Sequence, residues 1–361
     1  MNSAAGVQEL IAFAHRELPA MRHADGIYCR EVDARDRRPR GRSVRYTIMV
    51  ALGLLRARAS GYAVGEDLDE LIDLTLTQAE SPELTPGDLG LMLWLNCRAQ
   101  RDRAPELMAG LDRHLGDRRR LAAREGMEVA WIIIGASECV WTGLAPDAER
   151  LLHAARIELC ARSVTPSGLL LHRGMRFRRR FPNFATQIYG TLALSMLGRH
   201  GDAEALAAAR RVADALLQNQ RQDGAWPWLF DTDRGKVVEP YEIYSVHQDA
   251  MAPMGLLELY EATRDERYRE AAVRGLKWVY GDNEFNTPML DRQQHMVYRS
   301  IRRKPPSDRV MLYLNTALAH IHRQLTTSRL IALEINTTDR PYHLGWVLEA
   351  WCGRERLATS S

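Results

Sequence analysis

Cysteine is sparse in this chain and never arranged for chemistry. Its five cysteines, Cys29, Cys97, Cys139, Cys160 and Cys352, form no CxxC and no Cys/His spacing of a zinc site. That excludes a disulfide framework, and an odd, dispersed count fits a reducing compartment, so a cytoplasmic protein is expected. Lysine is nearly missing, with only Lys236, Lys277 and Lys304. Arginine carries the positive charge, but acidic residues are mixed with it and the net charge is only +3, so no nucleic-acid partner is expected. The local exception is "RFRRR", Arg176 to Arg180, either a solvated loop or the anion-facing lip of a cleft. No apolar run approaches the ~18 residues needed to cross a bilayer; "VAWIIIGASECVW" falls short, and no transmembrane segment is expected. The N-terminus lacks the basic and apolar regions of a signal peptide. A P-loop, a dinucleotide-binding glycine turn and a zinc motif are all absent, so neither cofactor nor metal is expected.

Amphipathic helical patterns dominate what remains. "VQELIAFAHREL", "DLDELIDLTL", "PELMAGLDRHL", "DAERLLHAARIELC", "DAEALAAARRVADALLQ" and "DERYREAAVRGLKWVY" repeat apolar residues every three and four positions. Asp opens several of them and suits a helix N-cap. Between them lie segments that are apolar nearly all round: "RSVRYTIMVALGLLRA", "PGDLGLMLWLNCRA", "GMEVAWIIIGASECVW", "NFATQIYGTLALSML", "VHQDAMAPMGLLELYEA" and "RPYHLGWVLEAWCG". Such helices are buried on most sides, and Gly53, Gly90, Gly135, Gly190, Gly255 and Gly345 let their backbones approach closely. Outer and inner patterns alternate, with inner helices starting near 43, 86, 127, 183, 246 and 340. Six pairs without capping repeats predict an all-α (α/α)6 toroid, one domain over 1–361, whose N-terminal helix completes the last pair. Two insertions, 163–182 and 282–306, interrupt the pattern; the second reads as a hairpin, and "RVMLYLNTALAHIHRQL" after it as an extra helix.

The stretch from 220 to 254, "QRQDGAWPWLFDTDRGKVVEPYEIYSVHQDAMAPM", crowds rings and carboxylates into one connection. Strand formers flank the turn signal "DTDRG", which predicts a β-hairpin roofing one end of the ring. "QRQDGAW" resembles the Gln/Gly/Trp element of α/α-toroid proteins, found in terpenoid cyclases and in similar form in six-hairpin glycosidases and lyases. The resemblance implies a stabilising role: the Trp packs on the preceding helix while Gln and Gly fix the turn. "GRSVRYTIMVALGLL", "NFATQIYGTLALSML", "YEIYSVHQDAMAPMGLLELYEAT" and "RPYHLGWVLEAW" resemble uncharacterised toroid proteins associated with bacterial polysaccharide biosynthesis, a likeness spread over the whole length that implies no reaction.

Loops and helix starts at one face of a ring wall a central cleft. There His247 is a candidate acid or base, or else a capping or core histidine. Asp249 is a second candidate, or simply favours the helix dipole. Of Glu239 and Glu242, three apart on a strand, Glu242 is expected to face the cleft. Asp231 and Asp233 are either an exposed hairpin tip or a working carboxylate pair. Trp226, Trp228 and Tyr244 are expected as stacking platforms, with Tyr241 beside them. Gln248 and the early positions of other inner helices (Arg45, Tyr46, Asn183, Gln187, His343) are expected to bind substrate; Asn183 and Gln187, four apart, are expected to share a face.

The expected function is a carbohydrate-active enzyme, a hydrolase or lyase using general acid/base chemistry through Glu242, His247 and Asp249. Alternatives are a terpenoid-cyclase-like protein acting on a prenyl substrate, or a non-catalytic sugar-binding or assembly protein. The cyclase reading wants an Asp-x-Asp-Asp acid motif, and "DLDE" at 67–70 and "DTDR" at 231–234 match it only in part.

Overall fold

The computed structural model describes residues 3–65, 67–116, 118–145, 147–173, 179–320 and 332–359. Six helices form an inner ring: α2 (Val44–Ala59), α4 (Pro86–Arg98), α7 (Gly126–Thr142), α9 (Phe184–Arg199), α11 (Ala252–Thr263) and α14 (Pro341–Trp351). Each packs on the next, and α14 touches both α11 and α2, so the ring closes. The outer partners are α3 (Leu68–Thr77), α5 (Ala104–Leu115), α8 (Ala148–Arg162), α10 (Ala203–Leu217) and α12 (Glu266–Val279), while α1 (Ser3–Glu17) covers α14 and supplies the sixth pair. The expected all-α toroid is therefore the observed fold. A short helix, α6 (Arg118–Ala122), bridges α5 and α8, and α13 (Ser307–His320) is the extra helix, against the roof. The end of that extra-helix segment, beyond 320, lies outside the described residues, as do Arg176, Phe177 and Arg178 of the arginine run.

Sequence explains where these helices start. The Ser43 hydroxyl accepts from the Tyr46 amide, Asn183 Oδ1 from the Thr186 amide, and Thr85 with Asp88 forms a reciprocal capping box. Asp202 and Asp265 cap α10 and α12, whereas Asp67 and Asp147 stand at N-caps without a side-chain bond to the helix amides. Close packing in the ring depends on glycine. A Cβ on Gly53 would lie 2.1 Å from the Gly345 carbonyl oxygen, and one on Gly135 would lie 2.1 Å from that of Gly90.

Short strands decorate the N-terminal end of the ring. β1 (Glu31–Asp33) pairs antiparallel with β2 (Pro39–Arg40) and with β10 (Thr338–Asp339). β3 (Leu229–Asp231) and β4 (Lys236–Glu239) are the expected hairpin. β5 (Ile243–Tyr244) leaves it to join β8 (Ser300–Arg303), which also pairs with β9 (Leu333–Asn336). β6 (Leu290–Asp291) and β7 (Met296–Val297) form the hairpin of the second insertion. Asp231 is no exposed tip: it is buried, and Arg180 Nε and Nη2 each donate to it at 2.7 Å. Asp233 lies beside the same guanidinium, 3.0 Å away and half exposed.

Candidate functional site

All six inner helices run the same way, so their N-terminal turns meet at one mouth. There all but α4 contribute, directly or through the turn that precedes them, to the wall of a cavity of about 310 Å³. Its wall takes Arg45, Tyr46 and Met49 from α2, Met127 and Trp131 from α7, and Asn183, Ala185 and Tyr189 from the start of α9. His247 and Met251 come from a π-helical turn, His247–Met251, that widens the entry to α11. Tyr342 comes from α14, and Trp228, Tyr244 and Arg299 close the roof.

Rings line this space. Trp228 stacks on His247 with centroids 5.9 Å apart and planes 6° from parallel, and Tyr244 and Phe184 lie 5.0 and 4.6 Å from the same imidazole. Tyr46 meets Tyr342 at 4.6 Å, and Trp131 meets Tyr189 edge-on at 5.2 Å. The two cations differ. Arg45 is committed, with Nε and Nη2 donating to buried Asp88 at 2.5 and 2.8 Å. Arg299 lies over the Tyr244 ring at 5.0 Å, and its Nη1 is buried without a hydrogen-bond partner. His247 Nδ1 and Trp131 Nε1 are equally buried and unpartnered. All three residues line one cavity, but each of these atoms is itself shut off from solvent, and a buried unpaired polar atom costs about 1–3 kcal/mol.

Electrostatics follow from burial. Burial, then the charges of Arg299 and His343, push the His247 pKa down to about 3, so the ring is neutral. Burial and the nearby Glu242 hold the Tyr244 phenol well above its ordinary pKa, so it stays protonated. Burial pushes the Tyr342 phenol up to about 12.

The other expected site residues lie elsewhere. Glu242 faces an adjoining cleft of about 220 Å³ that shares Trp228 and Tyr244 with the main cavity. It accepts from Tyr244 Oη at 2.9 Å, from Asn336 Nδ2 at 3.3 Å, and from the Ser300 hydroxyl. Asp249 is fully buried behind the wall, where Oδ1 lies 2.7 Å from His343 Nε2, so these two serve each other beneath the cavity. Gln187 turns away and clamps the Leu170 backbone, with Oε1 and Nε2 both at 2.8 Å. Gln248 bonds the Trp226 amide and the Tyr244 carbonyl. Trp226 is fully buried against Phe184, a core ring and not a platform. Gln220 Nε2 reaches the carbonyls of Gly224 and Ala271, the bracing role that the Gln/Gly/Trp resemblance implied. Glu239 is buried on Arg303 and Asn315. The acidic runs at 67–70 and 231–234 contribute nothing to the cavity wall. Sequence reasoning missed Arg299, Trp131 and Tyr189. The last two sit one and a half turns inside helices that read only as core, and Arg299 sits in an insertion without periodicity. Among the described residues no three His, Cys, Asp or Glu side chains gather to hold a metal ion, and no helix is long and apolar enough to cross a membrane.

Several solved structures share this architecture. The chain is similar to a D-mannose isomerase, with a TM-score of 0.66 and 11% identity, covering 96% of each chain. It is similar to a cellobiose 2-epimerase from Bacillus thermoamylovorans (TM-score 0.65, 11% identity, 96% of this chain and 99% of that one). It is also similar to an unsaturated glucuronyl hydrolase from a Bacillus species (0.59, 16%, 96% and 94%). These proteins are six-hairpin-glycosidase-like α/α toroids, and at such identities the likeness is one of fold. No protein-family model and no curated protein matches the chain.

Proposed function

We propose that the protein is a carbohydrate-active enzyme that removes a proton from the carbon beside a carboxylate or carbonyl of an anionic sugar, with elimination of the attached residue as the outcome. The observation that carries this reading is the neutral His247 beside the Arg299 cation on one ring-lined wall. Sugar faces present C–H groups that suit Trp228 and Tyr46. The converging helix N-termini and Arg299 favour negative charge. Hydrolysis by a carboxylate pair has less support, because among the described residues none on this wall is a carboxylate.

In the proposed reaction Arg299 binds the substrate carboxylate. That offsets the cationic field which, after burial, weakens His247 as a base. The imidazole takes the proton from the adjacent carbon. The electron pair forms a C=C bond, the C–O bond to the leaving sugar breaks, and the Tyr244 phenol protonates that oxygen. Glu242, bonded to the phenol, positions it. An isomerase or epimerase would share the first step, and the isomerase and epimerase among the structural neighbours support that second reading.

Incubation with oligosaccharides of uronic acids tests the choice. Elimination gives an ultraviolet-absorbing unsaturated product. Interconverted sugars without absorbance would support isomerisation, and new reducing ends without absorbance would mean hydrolysis and sink the elimination reading.

A further inference from the structure

The opposite mouth of the ring holds a second cavity, of about 410 Å³, built from the last turns of the inner helices. We propose that it binds a small organic cation through a primary ammonium group. This rests on residues apart from the cavity already described.

Three of the four arginines here are engaged with carboxylates, and the fourth, Arg56, donates Nε to the Cys352 carbonyl at 2.9 Å. Arg98 Nη1 donates to Glu349 Oε1 at 2.7 Å. Arg199 and Arg354 hold Glu258 and Glu261 between them at 2.6–2.9 Å. What is left over is acceptor capacity. Glu349 is only 4% exposed, yet its Oε2 has no hydrogen-bond partner. A ligand that answers it must donate a hydrogen bond.

A further feature selects a cation over a neutral hydroxyl. Helix C-termini carry partial negative charge, and six of them converge on this mouth. Trp94 and Trp141 are on the wall as well, but the Arg98 guanidinium already lies 4.4 Å over the Trp94 ring and His200 stacks on Trp141 at 3.5 Å, so the helix ends carry the selection. A metal ion is disfavoured, because no three carboxylates come together to chelate one among the described residues. Access runs past Arg199, whose side chain is 44% exposed, and the exposed His200 stacked on Trp141.

Calorimetry on the full chain, with glucosamine and putrescine as probes, tests the site and separates an amino sugar from an aliphatic amine. N-acetylglucosamine, which lacks the charge, is the control. At least one amine should bind, N-acetylglucosamine should bind at least tenfold more weakly, and Glu349→Gln should weaken the amine at least tenfold. If Glu349→Gln does not fold, the test passes to Arg98→Met, which strips the counter-cation from Glu349 and should tighten amine binding severalfold. Trp228→Ala, at the other mouth, should leave amine affinity unchanged. Three results would overturn the site: no amine binding at millimolar concentration, equal binding of N-acetylglucosamine, or amine binding that responds to Trp228→Ala and not to the variants at this mouth.

Discussion

Two tryptophans two residues apart illustrate how much depends on a single side chain. Trp226 is sealed in the core and Trp228 lines the cavity. Trp226→Ala should cost about 3–5 kcal/mol of stability, read from urea unfolding. Trp228→Ala should cost far less stability and instead weaken substrate binding, read as a raised KM. The sequence shows both as aromatic residues beside a turn and offers nothing to rank them. Asp249 and Gln187 were misjudged for geometric reasons. Asp249 is two residues from His247, and helical positions two apart point away from each other. Gln187 is four from Asn183, but Asn183 is an extended cap (φ −85°, ψ 169°) and not part of the helix whose face it was expected to share. His247 gives a pH prediction. Its folded pKa of about 3 lies below the ordinary 6.5, so between these values the unfolded chain takes up a proton that the fold refuses. Stability should therefore fall as pH drops from 6.5 towards 3. His247→Gln should flatten that fall in urea midpoints measured against pH.

Between elements, the critical contacts are backbone to backbone. Gly53→Ala drives a methyl into the Gly345 carbonyl where α2 meets α14, and should lower stability by about 1–3 kcal/mol in thermal or urea unfolding. The helix alternation was legible because the outer segments keep a 3.6-residue period while the inner ones are apolar nearly all round and carry glycines. The insertions were not, since strands of two to four residues leave too short a pattern. Hence β5, which reads as part of the first hairpin, pairs with β8, and Arg299 went unnoticed just ahead of it. The Asp249–His343 contact joins the π-helical turn to α14. Burial lowers the His343 pKa, but the Asp249 carboxylate outweighs it and the net shift is upward. A raised pKa means a contribution that is complete below pH 6.5 and fades as pH rises through the folded value. Asp249→Asn should therefore destabilise more below pH 6.5 than well above it.

For the whole molecule, parallel inner helices give the ring an electrical direction, positive where the sugar is proposed to sit and negative at the far mouth. Closure gives a second property, because α1 seals the seam by covering α14 with Val7, Leu10, Ile11, Phe13 and Ala14. Deleting residues 1–17 should abolish the single cooperative melt, with calorimetry showing a broad, early transition. The same seam bears on how the protein is made. A ribosome delivers α1 before α14, so this helix waits, greasy side bare, while the ring helices between them emerge. A chaperone that shields this segment should raise the yield of folded protein more than one that acts late.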